Sequence, residues 1–408
     1  MGMQPKLRFK GFTDDWEKRK LENFTKSYSG GTPSISRSDY YGGEIPFIRS
    51  AEINSDSTDL YLTEIGLKNS SAKMVQYGDI LYALYGATSG EVGIARIHGA
   101  INQAILAIKP TDGDDSQFIM QWLRKQKGHI INTYLQGGQG NLSGSIVKSL
   151  EVRTPVNKNE EFKIGSLLKK IDNLITVNQR KVDLLKRKKA GYLQKLFPKN
   201  GQNNPELRFK GYTDAWEKRR LGDVVNKVRS YSLSRDVECN KSTGYKYIHY
   251  GDIHTGVADI INKKSVLPNI KPNQYDTLSV NDLIVADASE DYQGIASPAV
   301  IQALPDENLV AGLHTIALRP QDTNATFLYY LLHTGNFKHF GYRAGTGLKV
   351  FGISWPNLSK FEFNLPSQKE QDKVVDLLRL LDNLVVVNQR KVDLLKREKK
   401  ALLQKMFV

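Results

Sequence analysis

The sequence predicts a mixed α+β protein of two globular domains, each followed by a long helix. The two helices are expected to pair as an antiparallel coiled coil, with pseudo-twofold symmetry relating the halves. Three observations carry this. Residues 177–187 and 387–397 both read VNQRKVDLLKR. Residues 5–21, PKLRFKGFTDDWEKRKL, return at 205–221 as PELRFKGYTDAWEKRRL. Between the repeats, short apolar runs alternate with Gly, Pro and Ser, as strands alternate with loops. The copies lie 200 positions apart in the leading repeat and 210 in the helical one, so the second domain carries about ten more residues. The domains are expected at 1–158 and 199–365, and the helices at 159–198 and 366–408.

The helices come from periodicity. Ile164, Leu168, Ile171, Ile175, Asn178, Val182, Leu185, Lys189, Tyr192 and Leu196 step by four and three in turn. Val374, Leu378, Leu381, Val385, Asn388, Val392, Leu395, Lys399, Leu402 and Met406 step identically. A 3.5-residue period is that of a coiled-coil seam. Ile171, Asn178 and Leu185, with Leu381, Asn388 and Leu395, are the expected coiled-coil and partner-binding positions. Leu167, Leu174 and Leu184 widen the first stripe, and Leu377, Leu384 and Leu394 the second, so each helix is expected to bury more than one face. An Asn in an apolar seam costs stability and fixes register. Two such residues meet in a parallel or an antiparallel pair, so they leave direction open. Two equivalent halves about a pseudo-twofold axis place the helices antiparallel.

Within each domain the elements follow in order. Asp14 and Asp214 precede Glu17 and Glu217 by three positions, the spacing of a capping box on a short helix. Trp16 and Trp216 read as anchors packed against their own domains. Ile80–Leu84, Val92–Ile97 and Ala104–Ile108 read as strands around a Gly-rich turn at residues 86–93. Residues 116–135 read as a helix, 137–146 as a polar Gly-rich loop, and 150–152 as a short strand leading through Pro155 into the first long helix. The second domain follows the same plan. Residues 281–301 and 307–320 supply strands, 326–340 a helix, 341–354 the second Gly-rich loop and 361–363 the last strand.

Composition narrows the function. A net charge of +15 points to nucleic acid or an anionic surface. Cys239 stands alone, which leaves no disulfide framework and no Cys-based zinc site. The N-terminal stretch lacks an apolar signal core, and no apolar run approaches a membrane span, so the expected location is cytoplasmic with no membrane partner. There is no phosphate loop of the GxxxxGK[ST] type and no Pro-Pro pair of an amino-methylating motif. The glycines of GGQGNLSG do not follow a strand in a dinucleotide fingerprint. His249 and His254 read as surface or structural residues rather than metal ligands. The acidic run DASED at 287–291 reads as a solvated loop, and the basic run at 186–189 as a solvated helix face.

Several phrases carry a family resemblance: GGTPS, YYGGEIPFIRS, YGDIL, YIHYGDI, VAGLHTIALRP, and FNLPSQKEQ ahead of a helix with LDNL. With the duplicated layout, which covers essentially the whole chain, they make it similar to the specificity subunits of type I restriction-modification enzymes. The first copy departs from the pattern at VRTPVNKNEE, where the usual Pro-x-x-x-Glu-Gln is degraded to Pro-x-x-x-x-Glu-Glu. The resemblance implies two target recognition domains, each reading one half of a bipartite, asymmetric DNA site. It implies helices that set the gap and dock two methyltransferase subunits, with two motor-nuclease subunits joining for cleavage. S-adenosylmethionine, ATP and Mg²⁺ would belong to those partners, leaving this chain non-catalytic and without a cofactor of its own. Base edges are read by polar side chains, while Lys and Arg position the backbone of double-stranded DNA. The candidate DNA-binding residues are Arg37, Arg49, Lys73, Ser89, Gln139 and Asn141 in the first domain. In the second they are Tyr292, Arg343, Thr346 and Lys349. Two other classes stay open: a coiled-coil scaffold, and a stand-alone DNA-modifying enzyme.

Overall fold

The computed structural model describes residues 4–111, 113–135, 141–291, 294–347 and 351–408. The chain forms two compact units, Met1–Arg180 with Gln389–Val408, and Lys181–Asn388. The division falls inside both long helices, Lys158–Lys195 and Gln368–Met406. Each helix therefore gives one stretch to each unit. Among the described residues, no helix is long and apolar enough to cross a membrane.

In the first unit a four-stranded sheet runs Thr25–Ser29, Ile105–Pro110, Ile80–Ala83 and Val92–Ile94. Its inner strands are buried over Ile80–Ala83 and 105–108, because successive side chains feed two different cores. Ile80, Tyr82, Leu106 and Ile108 point to one, shared with the helix Ser116–Tyr134 and the long helix residues Ile164 and Leu168. Leu81, Ala83, Ile105 and Ala107 point to the other. A second sheet runs Tyr61–Leu62, Tyr41–Ile48, Gly99–Ile101 and Lys73–Val75. The GGTPS phrase crosses close beside it: a Cβ on Gly30 would lie 1.8 Å from the Ile101 carbonyl oxygen, so only glycine passes there. The second unit repeats the plan. Leu283, Val285, Ile316 and Leu318 face a core with Phe327, Val374 and Leu378, while Ile284, Ala286 and Ala317 face another.

Four sequence expectations are corrected. Glu17–Lys20 and Glu217–Arg220 are strands, not capped helix starts. They pair antiparallel with Glu151–Thr154 and Glu362–Leu365, and the diagonal ion pair Lys218–Glu362 closes at 2.7 Å. Cross-strand pairing of a charged tetrapeptide wins over a local cap because it seats the preceding Trp in the core. Residues 307–320 form two strands, Asn308–Ala311 and Thr315–Pro320, broken where His314 takes φ +55°. Residues 326–340 fall in two helices, Ala325–Leu331 and Gly335–Ala344, the second capped by the Thr334 hydroxyl accepting from the Phe337 amide. The stretch expected as a loop to residue 146 contains a short helix from Gly144 to Lys148, capped by Ser143.

The tryptophans are anchors, as the sequence suggests: Trp16 is 1% exposed and Trp216 4%. Trp16 meets Phe407 edge-on at 6.5 Å, and Phe407 meets Phe118 at 4.9 Å. Trp216 meets Phe197 edge-on at 6.5 Å, and Phe197 meets Phe327 at 5.1 Å. Phe407 follows the second long helix and Phe197 the first. Each unit's core is thus completed by the end of the helix that follows the other repeat. The leading arms close over the same place. The Leu7 amide donates to the Lys405 carbonyl at 2.9 Å, and the Leu207 amide to the Lys195 carbonyl at 2.9 Å. Arg8 forks onto buried Glu160 at 2.8 and 2.7 Å, and Arg208 onto buried Glu370 at 2.9 and 2.8 Å. Two-pronged, charge-assisted contacts of this kind fix geometry as well as adding energy.

Beside these forks the two units differ. In the second, the Gln371 amide oxygen accepts from the Asn324 amide at 2.9 Å and its NH₂ donates to the Pro366 carbonyl at 3.0 Å. In the first, Glu161 stands at the matching place. Its Oε1 accepts from the Asp115 amide at 2.8 Å, while its buried Oε2 accepts no hydrogen bond among the described residues and has the Lys158 ammonium 3.6 Å away. The Asp114 carboxylate nearby is held by Arg19 at 2.9 Å and by Lys158. Burial, with the neighbouring Asp114 charge, pushes the Glu161 carboxyl up to about 7 from 4.5. Between those values the folded unit holds a proton that the unfolded chain has lost, so stability falls as pH rises through that window. Glu161→Gln should therefore flatten the pH dependence and leave the protein more stable at pH 8, by on the order of 1–3 kcal/mol. Urea unfolding of both proteins at pH 5 and pH 8 checks this; a variant less stable at pH 8 would contradict it.

Candidate nucleic-acid interface

In each unit the same backbone lattice draws two separate Gly-containing loops together. In the first unit the Leu84 amide donates to the Ala104 carbonyl at 2.8 Å, and the Leu142 amide to the Leu84 carbonyl at 2.9 Å. Tyr85 then bridges Asn141 in antiparallel fashion. The turn at 86–90 leaves from this point, with Gly86 at φ +69° and Gly90 at φ +79°. In the second unit the Asp287 amide donates to the His314 carbonyl at 3.0 Å, and the Ile353 amide to the Asp287 carbonyl at 2.8 Å. Ala288–Ser289 then pairs with Phe351–Gly352, and Thr346 bridges Gly352. The DASED run is therefore not a solvated loop throughout: Ala288 and Ser289 are buried in a strand.

The candidate residues fare differently. Asn141 is exposed at its bridge to Tyr85. Thr346 is exposed at its bridge to Gly352. Arg343 is exposed in the last turn of Gly335–Ala344, and with Lys218, His339 and Lys360 it lines a cleft of about 690 Å³. Ser89 is buried, and its hydroxyl donates to the Leu84 carbonyl at 3.1 Å, so it supports the turn rather than facing solvent. Gln139, Tyr292 and Lys349 lie outside the described residues.

The basic candidates divide by what already holds them. Arg37 forks onto Asp39 at 2.8 and 2.7 Å and covers the Tyr40 ring at 4.7 Å. That fork raises the Arg37 pKa above its ordinary value and lowers that of Asp39. Arg49 is tied to Glu52, with its Nε at 3.1 Å, and to Asp59 at 3.1 Å. Burial pushes the Glu52 carboxyl up, but hydrogen bonds from Arg49, from the backbone and from Thr58 outweigh it and hold the group down at about 2. Lys73 is exposed on its edge strand and makes no ion pair among the described residues.

Sequence reading missed a cluster in the second unit. His314 Nδ1 lies 3.0 Å from Asp287 Oδ1, and the Tyr250 ring stands 5.3 Å from the imidazole at 83°. His249 caps the helix Tyr250–His254, accepting from the Gly251 amide, and His254 Nε2 lies 2.8 Å from the Ala288 carbonyl oxygen. These two are structural, as expected of them. An open cleft of about 610 Å³ lies alongside, lined by Lys227, Arg229, Asp287, Thr315, Ser354 and Trp355 among others. Among the described residues, no group of three or more His, Cys, Asp or Glu could hold a metal ion.

On the helices the seam is buried or half-buried at every position. Ile164, Leu168, Ile171, Val182 and Leu196 are covered in the first helix, and Val374, Leu378, Leu381, Val392 and Met406 in the second. Leu185 and Leu395 are half-buried. Asn178 and Asn388 are buried, and each donates to a carbonyl of its own helix at 2.6 Å, those of Leu174 and Leu384. The wider stripe is not buried as expected. Leu174, Leu184, Leu384 and Leu394 are 49%, 52%, 37% and 51% exposed, beside Val177 and Val387 at 63% and 62%. Only Leu167 and Leu377 join the cores.

Similarity to known proteins follows this geometry. The profile of the type I restriction modification DNA specificity domain matches residues 13–187 and again 213–397. Over 403 residues the chain is 21% identical to the type I restriction enzyme MjaVIII specificity subunit of Methanocaldococcus jannaschii, covering 96% of this chain and 91% of that one. Over 416 residues it is 26% identical to the MjaIX specificity subunit of the same organism, covering 96% and 92%. In fold it is similar to the crystal structure of a type I restriction-modification S subunit from M. genitalium, with a TM-score of 0.65 at 17% identity over 100% of this chain and 99% of that one. The chain belongs to the type I restriction modification DNA specificity domain family and carries two copies of its domain.

The division among the cations sets a test of DNA contact. Lys73→Met should weaken DNA binding at every sequence and lower the salt slope by about one. Arg49→Met should leave that slope unchanged and instead loosen the turn it ties, by roughly 1 kcal/mol. Titrating DNA binding against salt in the presence of the methyltransferase subunit separates the two. A lower slope for Arg49→Met with none for Lys73→Met would reverse the assignment.

Proposed function

We propose that this chain, as a member of that family, is the non-catalytic DNA-recognition subunit of a type I restriction-modification complex, and that each unit reads one half of a bipartite DNA site. The observation that carries the reading is the paired-loop lattice, built once in each of two duplicated units from the same backbone hydrogen bonds. Loops held on a rigid sheet end, with backbone free to approach a groove, suit the reading of base edges. Different side chains on one lattice suit an asymmetric site.

The long helices act as the spacer, pairing antiparallel about a pseudo-twofold axis. Supporting this, Asp172 on the first helix meets Lys399 on the second at 2.7 Å within the first unit. Within the second unit, Lys189 on the first helix meets Asp382 on the second at 2.5 Å. An early position on one helix meets a late position on the other both times, and each ion pair is the repeat of the other under the 210-residue offset. The domain limits proposed for this reading are 1–158 and 199–365, with spacer helices at 159–198 and 366–408. S-adenosylmethionine, ATP and Mg²⁺ belong to the partner subunits in this scheme.

The exposed apolar triads Leu174, Val177, Leu184 and Leu384, Val387, Leu394 dock the two methyltransferase subunits, one triad for each. Two motor-nuclease subunits then complete the assembly for cleavage. Three repeated, half-exposed aliphatic side chains on an otherwise charged helix are what an interface core requires and a solvated face does not.

Three outcomes test this. The purified chain alone should transfer no methyl group from S-adenosylmethionine to DNA, whereas its complex with the methyltransferase should. Exchanging residues 222–350 for those of a relative should change one half of the methylated sequence and leave the other; a change in both halves would end the idea of independent reading. Replacing Val177 and Val387 together by Asp should abolish co-purification with the methyltransferase while the helical circular dichroism stays unchanged.

A further inference from the structure

We propose that His314, oriented by Asp287, reads a base in the second half-site by accepting a hydrogen bond from the exocyclic amino group of an adenine or a cytosine. The inference rests on the DNA-recognition reading above and names a determinant within it.

Leu84 and Ala104 in the first unit, and Asp287 and His314 in the second, occupy the same two places. In each pair the first residue's amide donates to the second residue's carbonyl, and the first residue's carbonyl accepts from the loop that returns at Leu142 or Ile353. In the first unit the two side chains are apolar, Leu84 buried at 2% exposure and Ala104 half-buried. In the second it is polar and open, the imidazole being 48% exposed and the carboxylate 32%. A scaffold repeated to the hydrogen bond, with its side chains exchanged at one spot, separates what holds the fold from what the fold presents.

The backbone supports the same conclusion. His314 takes φ +55°, a conformation that favours glycine. Ala296, at φ +58°, lies one residue before Ser297, whose carbonyl accepts from the Ala286 amide beside Asp287. Strained non-glycine residues persist where the surroundings over-determine them, and they gather at binding sites. The imidazole at this position is half-exposed, with the Tyr250 ring edge-on beside it at 5.3 Å.

The chemistry of the ring then selects the ligand. A carboxylate only accepts, so the nitrogen facing Asp287 carries the proton. Nε2 of the neutral ring is left as an acceptor, with no protein partner among the described residues. In the major groove, exocyclic amino donors occur on adenine and cytosine alone. Lys227 and Arg229, on the wall of the adjoining cleft, supply charge for the phosphates flanking that base. Asp287 is a positioning residue in this arrangement, fixing which nitrogen accepts.

The test uses the complex with the methyltransferase, reading methylated sites across a random DNA library. His314→Gly removes the imidazole and relieves the positive φ, so the fold is retained. His314→Asn keeps a polar side chain that tolerates the same backbone. The expected result for His314→Gly is a loss of discrimination at one position of the second half-site, on the order of tenfold, with the first half-site unchanged. His314→Asn should keep or alter the preference at that same position only. Unchanged discrimination at every position would overturn the proposal, as would a uniform loss over both half-sites. If the unsubstituted complex methylates no bipartite site, the recognition reading itself fails and this inference goes with it.

Discussion

The aromatic wedge is the contact on which the rest depends. Phe407 lies against Trp16 and Phe118, and Phe197 lies against Trp216 and Phe327. Large rings bury 150–250 Å² each, roughly, and dominate the energetics of a core. Each tryptophan also packs directly on the same phenylalanine that its wedge touches, Trp16 on Phe118 at 5.8 Å and Trp216 on Phe327 at 6.0 Å, so three rings close on one another in each unit. The wedge also fixes where the helix ends, since the arm amides of Leu7 and Leu207 take the carbonyls of Lys405 and Lys195. The helix positions follow, with Ile164 and Leu168 against one core and Val374, Leu378 and Leu381 against the other. The sheets then hold their loops relative to a fixed base.

On that common frame the units diverge in their polar residues. Gln371 satisfies both ends of its amide where Glu161 leaves an oxygen without a hydrogen bond among the described residues. Trp216 donates its Nε1 proton to Glu370 at 3.1 Å, whereas the Trp16 Nε1 has no partner among the described residues. Both differences leave the first unit with less complete polar pairing at its base, and buried polar groups without partners reduce stability. The apolar frame is more nearly shared, because packing tolerates little change in volume. Exposed loops carry no such restraint.

Much of the frame was legible in the letters. The seam of ten positions per helix stands out because a period repeated twice is hard to produce by chance, and its buried members are the ones the spacing selects. The tryptophan anchors were legible for the same reason. The charged strand Glu17–Lys20 was not, since its partner lies more than 130 residues away and its own four letters, EKRK, carry no alternation. Leu174 and Leu184 were read as buried because apolarity alone does not distinguish a core from an uncovered surface. Among the candidate site residues, Arg49 lies three positions before Glu52 and Arg37 two before Asp39, so the forks that hold them were visible as spacings. His314 was invisible: nothing in VAGLHTIALRP announces that one residue of a strand pair turns left-handed. Such a turn is set by the lattice around it.

The placement of Phe407 also bears on the order in which the protein can be made. Residues 4–180 leave the ribosome early, yet Trp16 and Phe118 reach their neighbour only after residues 402–408 have been synthesised. Lys399 must likewise appear before Asp172 finds its ion pair. The second unit, drawn from residues 181–388 without interruption, meets no such wait. Domains ordinarily close in the order they emerge. Here the unit that is translated first takes its last segment from residues 389–408, so its set of contacts is complete only after the whole of the second unit's stretch has been made.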